Sequence, residues 1–404
     1  MNKRAIATII AGFLTASIAF SIRYSYGMLL PEMLPDLGIN KTQAGAILTA
    51  YFVIYTIGTP LLGALSDLYS YRLLITVFTA ILGSGALLMA YADSFVQASL
   101  FFSIAALGHA ACWAPVVVMV QKWVPDDKRA TALSVVTMGV GAGILCWGLF
   151  MPSIVSAAGW RSGWLALGVF AISIAVLDLI LVRDPVRPAS GKTVSRRGPI
   201  AFLVSYREVF KRMEFWAIGG AYTMVGMSVI ILFAFLPVYA HEALEMPYAH
   251  STRLISMIAL FGFGGQLVLG PLSDKIGRTW IMVFCSVIMS FACLGLVFSE
   301  TIWMLYALIG LYGIGYGAVW PVYAAAASDH FPRNMTGGIV GLWTFLYGIG
   351  SIIAPIVSGW IIDVTGEYTG VFIFAAVAGT ISIILLLAMQ LLRKKRTLNP
   401  QNAD

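Results

Sequence analysis

Twelve apolar runs of about twenty residues each constrain what this chain can fold into more than any other feature of its sequence. A helix of that length spans the hydrocarbon core of a bilayer. Charged residues make up 11% of the 404 positions, whereas soluble domains carry about 25%. The predicted spans are 6–30, 43–65, 72–91, 97–119, 131–154, 163–182, 214–239, 252–272, 279–298, 302–325, 336–358 and 370–392. The sequence therefore predicts an all-α membrane protein with twelve transmembrane helices.

The basic residues lie mainly on one side of these predicted spans. If the N-terminus is placed in the cytoplasm, 21 of the 25 Lys and Arg residues fall on cytoplasmic segments. Enrichment of basic residues in cytoplasmic loops is the usual determinant of membrane topology. We therefore expect both termini in the cytoplasm, and we interpret the net charge of +7 as a topology signal that also contacts lipid headgroups. A nucleic-acid partner is not expected.

Landmark residues recur at a single offset of 207 positions on either side of the longest polar stretch, 183–213. This stretch separates six predicted spans from six. The paired landmarks are Gly63 to Asp67 with Gly270 to Asp274, Gly108 with Gly315, Trp113 with Trp320, Pro125 with Pro332, and Gly159 with Gly366. Agreement at five places indicates a duplication. The predicted units are an N-terminal six-helix bundle at 1–183, a cytoplasmic linker at 184–213, a C-terminal six-helix bundle at 214–392 and a cytoplasmic tail at 393–404.

The loops after the second span of each half share a motif, GALSD at 63–67 and GPLSDKIGR at 270–278. Together with the six-plus-six spans and the basic linker, they resemble the major facilitator superfamily over nearly the whole chain. The second loop fits that family's G-x-x-x-D-x-x-G-R pattern, whereas the first has Ser70 in place of the second glycine and Arg72 one position late. The resemblance implies a secondary transporter whose bundles rock about a central site. It also implies that spans 1, 4, 7 and 10 line the cavity, with help from 2, 5, 8 and 11.

The two loops are candidates for a conformational latch at the cytoplasmic face. The glycine of each copy would let adjoining helices approach closely, and each aspartate would pair with a basic residue a few positions later. Such contacts can hold one conformation and release in another. A simple turn between two spans is the alternative interpretation. The predicted latch residues are Gly63, Asp67, Arg72, Gly270, Asp274 and Arg278.

Arg23 interrupts the first predicted span about two-thirds of the way along it. A charge at such a depth is costly when it faces lipid, and much less so when it faces a water-accessible cavity. A guanidinium binds a carboxylate through two parallel hydrogen bonds, so we predict that Arg23 contacts an anionic substrate. Tyr26, three positions later on the same helical face, would add a hydroxyl donor. Snorkelling to the outer surface and a structural salt bridge are the alternatives.

A histidine and three aromatic residues lie on spans that the resemblance assigns to the cavity. His109 and Trp113 are one turn apart on span 4, and Tyr316 and Trp320 are their counterparts on span 10. Imidazole changes charge near physiological pH, which makes His109 the first candidate for proton coupling as well as a substrate contact. The aromatic residues would shape the pocket around the apolar part of the substrate. Ordinary helix packing is the alternative.

Spans 2, 8 and 11 supply further candidates for substrate contacts. The aromatic candidates there, weaker than those on spans 4 and 10, are Tyr51, Tyr55, Trp343 and Tyr347. Of these we select one on each span, Tyr55 and Tyr347. Gln266 on span 8 stands where similar monocarboxylate and oxalate transporters carry an arginine, four residues before the loop glycine. With glutamine at that position, Arg23 is the main positive charge near the centre.

These residues together predict a transporter for a small organic anion, with a carboxylate as the expected substrate class. We expect rocker-switch alternating access by proton symport or anion exchange, a monomer without cofactors, and a place in the inner membrane of a prokaryote. Proton-driven efflux of lipophilic cations is the alternative, but it calls for a carboxylate in the cavity-lining spans, which have none away from their ends. An intramembrane enzyme is disfavoured because the four histidines are scattered without an H-E-x-x-H motif. A sensor would normally carry an added soluble domain.

Overall fold

The computed structural model describes residues 3–65, 69–125, 128–184, 206–299, 301–332 and 335–398. Its principal helices are α1 (Lys3–Leu37), α2 (Lys41–Leu65), α3 (Tyr71–Met89), α4 (Phe95–Ala110), α5 (Ala114–Trp123), α6 (Arg129–Leu181), α7 (Met213–Glu242), α8 (Tyr248–Ile276), α9 (Arg278–Leu296), α10 (Ile302–His330), α11 (Thr336–Thr365) and α12 (Thr369–Leu398). Within the described ranges, eleven segments are long and apolar enough to cross a membrane. Asp67, residues 185–205 of the predicted linker and 399–404 of the predicted tail lie outside those ranges, and the division into linker and tail stays a prediction.

The long helix α6 contains two of the predicted spans. It runs for 53 residues, and its backbone leaves helical geometry at Ala158 and Gly159. Gly159 has a φ of 75°, in the left-handed region that residues with a side chain rarely adopt. The predicted spans 131–154 and 163–182 lie on either side of this turn. Counting α6 as two spans gives the twelve that the sequence predicts.

The turn inside α6 has a structural counterpart 207 positions later in the chain. Gly366 has a φ of 73° and follows the last residue of α11, just before α12 begins. The duplication also holds in helix packing, where Gly108 of α4 meets the backbone of α3 at Leu82 and Gly315 of α10 meets α9 at Met289. These two contacts are again 207 positions apart. The predicted pair of pseudo-symmetric six-helix bundles is therefore confirmed.

The fourth predicted span is interrupted, which no feature of the sequence analysis predicts. Helix α4 ends at Ala110, α5 begins at Ala114, and Pro115 occupies the first turn of α5. The C-terminal counterpart of this span, α10, continues as one helix. The interruption at 111–113 therefore distinguishes the two halves, and it follows directly after the turn of α4 that carries His109.

The two halves are joined at the face opposite the chain termini, which we name the distal face; the face that carries the termini is the terminal face. Near the distal face, Gly45 of α2 packs against the backbone of α11 at Pro355. A side chain at position 45 would collide with that backbone, so glycine permits the close approach. The Tyr248 hydroxyl of α8 donates to the Met28 carbonyl of α1 over 3.0 Å. Contacts of α2 with α11 and of α1 with α8 thus help to connect the two bundles near the distal face.

A polar cluster, here named the distal clasp, connects the halves at this face and consists of Lys41, Thr42, Glu242, Asp363 and Tyr368. The Asp363 carboxylate accepts hydrogen bonds from the backbone N–H groups of Lys41, over 3.0 Å, and Thr42, over 2.7 Å. It also accepts from the Thr42 hydroxyl over 2.5 Å. Lys41 forms an ion pair of 2.7 Å with Glu242, which accepts from the Tyr368 hydroxyl as well. A carboxylate of one half thus caps the first turn of α2 in the other half.

Towards the terminal face, the helices that connect the halves become exposed. On α2 the exposed fractions of Ile57 and Leu61 are 54% and 61%, and on α8 that of Leu267 is 72%. Gly270, three residues further along α8, has no atom of the described residues within 4 Å of the place where a Cβ would lie. The halves are therefore closed on each other at the distal face. Their described contacts do not reach the terminal ends of α2 and α8.

Candidate functional site

Arg23 lies near the middle of α1 with only 3% of its surface exposed, so it does not snorkel to a membrane surface. Its guanidinium carbon is 4.0 Å from the ring centre of Tyr55, 4.9 Å from that of Phe20 and 5.3 Å from that of Phe52. These distances allow cation–π attraction, which offsets part of the cost of burying the charge. No carboxylate of the described residues pairs with Arg23. The structural salt bridge considered for this residue is therefore absent from the described part of the chain.

A chain of hydrogen bonds connects Arg23 to His109 through Tyr51. The Arg23 Nε–H donates to the Tyr51 hydroxyl oxygen over 3.5 Å, and that oxygen lies 2.5 Å from Nδ1 of His109. Because no other acceptor for the Tyr51 proton lies among the described residues, we assign this proton to the bond with Nδ1. A neutral imidazole that accepts at Nδ1 carries its own proton on Nε2. His109 is therefore a hydrogen-bond donor at Nε2.

Two nitrogen atoms at the ends of this chain are buried without a partner among the described residues, Nη2 of Arg23 and Nε2 of His109. Buried polar atoms are almost always hydrogen-bonded, so an unpartnered pair indicates a place for a ligand or for water. Both atoms are N–H donors, and one of them belongs to a positively charged group. We name Arg23 and His109 the donor pair. Its chemistry suits an oxyanion.

The C-terminal half presents a cluster of aromatic residues, here named the aromatic group, that consists of Tyr222, Trp320, Tyr323 and Tyr347. The Tyr347 ring centre is 4.9 Å from that of Tyr222 and 4.9 Å from that of Trp320, and Tyr222 stacks on Tyr323 at 4.4 Å. The Tyr347 hydroxyl is buried and has no hydrogen-bond partner in the described ranges. Tyr347 also lies within electrostatic range of Arg23. The aromatic group therefore faces the donor pair across the centre of the molecule.

Tyr24 lies close to the donor pair, and Tyr316 lies close to the aromatic group. Both rings pack against Phe233 of α7. The ring centre of Phe233 is 4.1 Å from that of Tyr24 and 5.2 Å from that of Tyr316. The Tyr24 side chain is also close to those of Tyr316 and Arg23. Tyr316, which the 207-position offset pairs with His109, thus reaches the centre from the other half.

The structure places the remaining candidates of the N-terminal half around the donor pair. The rings of Tyr55 and His109 are 5.0 Å apart. Trp113 is half-buried, and its ring centre is 6.0 Å from that of Phe20, which in turn lies 4.9 Å from the His109 ring. Tyr55 therefore contacts the donor pair directly, whereas Trp113 is one ring further away. Substrate contact by each of these residues stays a prediction.

Tyr26 and Gln266 belong to neither group. The Tyr26 hydroxyl donates to the Ala44 carbonyl over 2.7 Å, and its ring stacks on Phe102 at 5.0 Å, so it packs α1 against α2 and α4. This hydroxyl is therefore not free to serve as the extra donor that the sequence suggests. Gln266 is half-buried on α8, and no described contact joins it to Arg23.

The predicted latch residues of the second loop contact their own half. Arg278 pairs with Asp274 at 2.5 Å and with Asp329 of α10 at 3.4 Å. No residue of the N-terminal half is bound to them in the described part of the chain. Among the residues that the structure describes, none approaches Gly270 closely in this conformation. A latch role for this loop stays a prediction.

The first loop is arranged in the same way. The Arg72 Nε–H donates to the Leu179 carbonyl over 2.8 Å, and its backbone N–H donates to the Asp184 carboxylate over 3.3 Å. At Gly63 the nearest described atom to an added Cβ is a side-chain carbon of Ala114 at 3.9 Å, an ordinary contact. Its partner in the predicted latch, Asp67, lies outside the described residues.

Several central residues are not among the selected candidates. Tyr51, a weaker candidate, provides the bridge in the hydrogen-bond chain, and Phe20 contacts both members of the donor pair. Helical spacing is the signal that could identify them, since Phe20 precedes Arg23 by three positions and Tyr51 precedes Tyr55 by four. Tyr222 and Phe233 carry no such signal. Helix α7, on which they lie, is apolar and buried around its whole circumference.

The chain is similar to known transporters along most of its length. The family model described as Major Facilitator Superfamily matches residues 12–275 and 254–404. The chain is 24% identical to the probable galactarate/D-glucarate transporter GudP of Bacillus subtilis, over 97% of this chain and 94% of that protein. It is 26% identical to the hexuronate transporter of Bacillus subtilis, over 95% and 94%. It is also 24% identical to monocarboxylate transporter 12-B of Danio rerio, over 71% and 66%.

A solved structure with the same fold is that of a bacterial homolog of the human lysosomal transporter Spinster, in an inward-facing and occupied conformation. The two structures superpose with a TM-score of 0.81 over 98% of each chain, at 16% sequence identity. The similarity at this identity concerns the arrangement of helices. It agrees with the two six-helix bundles described above.

Proposed function

Because the chain belongs to the Major Facilitator Superfamily, and is thus a membrane transporter rather than an enzyme, we propose that it carries a small organic anion bound by the donor pair. The observation that carries this proposal is the pair of buried, unpartnered N–H donors, Arg23 Nη2 and His109 Nε2. A buried guanidinium without a counter-charge is stabilised when an anion enters beside it. The names of the relatives, which are sugar-acid and monocarboxylate transporters, support an organic anion.

In the proposed complex, the two halves have different roles. One carboxylate oxygen accepts from Arg23 Nη2 and the other from His109 Nε2, so that both unpartnered donors are satisfied. The Tyr51 hydroxyl holds both donors in place through its two hydrogen bonds. The remainder of the anion extends towards the aromatic group, whose rings surround its carbon atoms.

The transport cycle we propose is a rocker-switch movement of the two bundles about this site. With the terminal face in the cytoplasm, as the basic residues predict, the distal face is the outer side, and the distal clasp closes it. Opening at the distal face would separate Asp363 from the first turn of α2. The loops at 63–72 and 270–278 would then meet the opposite half and act as the latch.

His109 is the proposed site of proton coupling. A carboxylate next to Nε2 stabilises the imidazolium form by direct attraction, so a proton and the anion would bind together and cross as a symport. If His109 stays neutral throughout, anion exchange is the corresponding mechanism. We propose that the transporter works as a monomer in the cell membrane, with its basic terminal-face segments against lipid headgroups.

Uptake of labelled organic acids into proteoliposomes tests the proposal. We expect Arg23→Gln to lower uptake of every transported anion by at least about thirtyfold, equivalent to ~2 kcal/mol for loss of a buried charge contact. Arg23→Lys keeps the charge without the planar fork and should retain part of the activity. Arg253→Gln removes an exposed arginine of α8 and serves as the matched control with unchanged uptake.

Two further measurements separate the components of this proposal. In His109→Gln, uptake should no longer respond to an imposed proton gradient, whereas exchange of internal for external anion should persist. Full uptake by Arg23→Gln would show that the guanidinium is structural. Thermal stabilisation of the purified protein by lipophilic cations, with none by any organic anion, would favour cation efflux and overturn the proposal.

A further inference from the structure

Tyr347 carries a hydroxyl whose situation resembles that of the donor pair. Only 4% of the residue is exposed, and its hydroxyl has no hydrogen-bond partner in the described ranges. The ring is fixed between those of Tyr222 and Trp320, so the hydroxyl cannot turn away to find water. It is one of several buried hydroxyls without a partner in the described ranges, and its contact with Trp320 and its proximity to Arg23 place it where a ligand of the donor pair could reach it.

We propose that the substrate is a hydroxylated monocarboxylate, with its carboxylate on the donor pair and one of its hydroxyls on Tyr347. This inference rests on the proposed function, since it assumes an anion at Arg23 and His109. An alcohol both donates and accepts, so it can pair with the phenol in either direction. The substrate then connects the two halves, with its charged end on α1 and α4 and a hydroxyl on α11.

The restriction to one carboxylate follows from the distribution of charge. Arg23 supplies the positive charge of the N-terminal side, whereas the aromatic group supplies rings and hydroxyls without any cation. A second carboxylate would lie against these rings with no counter-charge. The cost of removing such a charge from water exceeds what one or two phenol hydrogen bonds return. A dicarboxylate therefore binds more weakly than a monocarboxylate with the same hydroxyls.

The requirement for a hydroxyl follows from the unpartnered oxygen of Tyr347. An unsubstituted carboxylate of the same length can bind the donor pair, but it leaves this oxygen buried and unpaired. Sites arranged around a hydrogen bond discriminate strongly against analogues that lack the partner group. We expect a preference of at least about tenfold for the hydroxylated ligand.

Isothermal titration of the purified full-length protein with four probes tests the inference. Gluconate and glucuronate are hydroxylated monocarboxylates, hexanoate has the same number of carbons without hydroxyls, and galactarate has hydroxyls and two carboxylates. The better of the two hydroxylated monocarboxylates should bind at least about tenfold more tightly than both hexanoate and galactarate. Equal or weaker binding relative to either comparison probe would overturn the inference.

Variants identify the residue responsible for the preference. Tyr347→Phe should reduce the ratio of hydroxylated-acid affinity to hexanoate affinity by about tenfold, since only the hydroxyl is removed. Tyr312→Phe is the matched control, because that buried tyrosine of the same half has its hydroxyl 3.2 Å from Ser228. Its ratio should equal that of the wild type. An unchanged ratio in Tyr347→Phe would refute the assigned contact.

Failure of this inference can be told apart from failure of the proposed function. If hexanoate and the hydroxylated acids bind equally well and Arg23→Gln weakens all of them, the anion site stands and the role of Tyr347 is refuted. If no carboxylate binds, or if Arg23→Gln binds each carboxylate as the wild type does, the proposed function itself is refuted, and this inference with it.

Discussion

We expect the substitution of Asp363 by alanine to shift the transporter towards a conformation that is open at the distal face. The carboxylate accepts three hydrogen bonds from the first turn of α2, from the backbone N–H groups of Lys41 and Thr42 and from the Thr42 hydroxyl. All three bonds join one half to the other, and all are lost in the variant. Because only the distal-closed conformation makes these bonds, their loss destabilises it relative to the distal-open conformation.

The size of this shift can be worked out from the clasp. Loss of a helix N-cap costs about 0.5–2 kcal/mol, and we take about 1 kcal/mol because the cluster is exposed. That value corresponds to an increase of about fivefold in the ratio of distal-open to distal-closed molecules. The ion pair between Lys41 and Glu242 persists in the variant, but its side chains are 21% and 36% exposed, and pairs of that kind contribute less.

Thiol labelling from the distal side measures the shift. Thr49 of α2 is half-buried and donates to the Ile352 carbonyl of α11 over 2.7 Å, so a cysteine at position 49 lies at the contact between the closed halves. In a background without native cysteines, a membrane-impermeant maleimide should label Thr49→Cys about fivefold faster when Asp363→Ala is added. Lys41→Met, which removes only the exposed ion pair, should change the rate by less than about twofold. Equal labelling rates with and without Asp363 would refute the capping argument.

Two further substitutions test the site and the fold. Tyr51→Phe removes the hydroxyl at the middle of the hydrogen-bond chain, so anion affinity measured by titration should fall about tenfold, whereas Tyr26→Phe should leave it unchanged. Unaltered affinity in Tyr51→Phe would contradict the histidine tautomer assigned here. Gly159→Ala places a side chain on a residue with left-handed backbone, so it should lower the free energy of unfolding by about 1–2 kcal/mol. Thermal denaturation of the purified protein measures this loss. Gly264→Ala, at a helical position with open space for a Cβ, should cause no loss, and equal losses in the two variants would rule out backbone strain as the cause.

The fold could be predicted from the sequence because bilayer thickness sets the length of every span and a duplication repeats the whole pattern. Gly159 and Gly366 show how far this extends, since their offset pairs them in the sequence and both adopt positive φ in the structure. The interruption of span 4 could not be predicted in the same way. The local sequence signal for it is Pro115. A proline in such a position is compatible either with the start of a new helix or with a kink in a continuous one, so it does not decide between them.

The candidate site could be predicted only in part, for a physical reason that α1 illustrates. Arg23 stands out as a charge in an apolar run, but every residue from 21 to 31 is buried. A helix buried on all sides has no polar face to show which residues point to the centre, so Tyr24 and Tyr26 cannot be told apart. The bridging role of Tyr51 depends on the spacing of three helices, which no local pattern encodes.

The placement of the donor pair on one half and the aromatic group on the other has a consequence for how such a transporter can diversify. His109 and Tyr316 stand at the same position of the duplicated unit, yet one is an imidazole and the other a phenol. Under the proposed function, the first copy retains the anion while substitutions in the second copy change what a substrate must carry beyond its carboxylate. Such a division of roles would let new specificities arise without loss of anion binding.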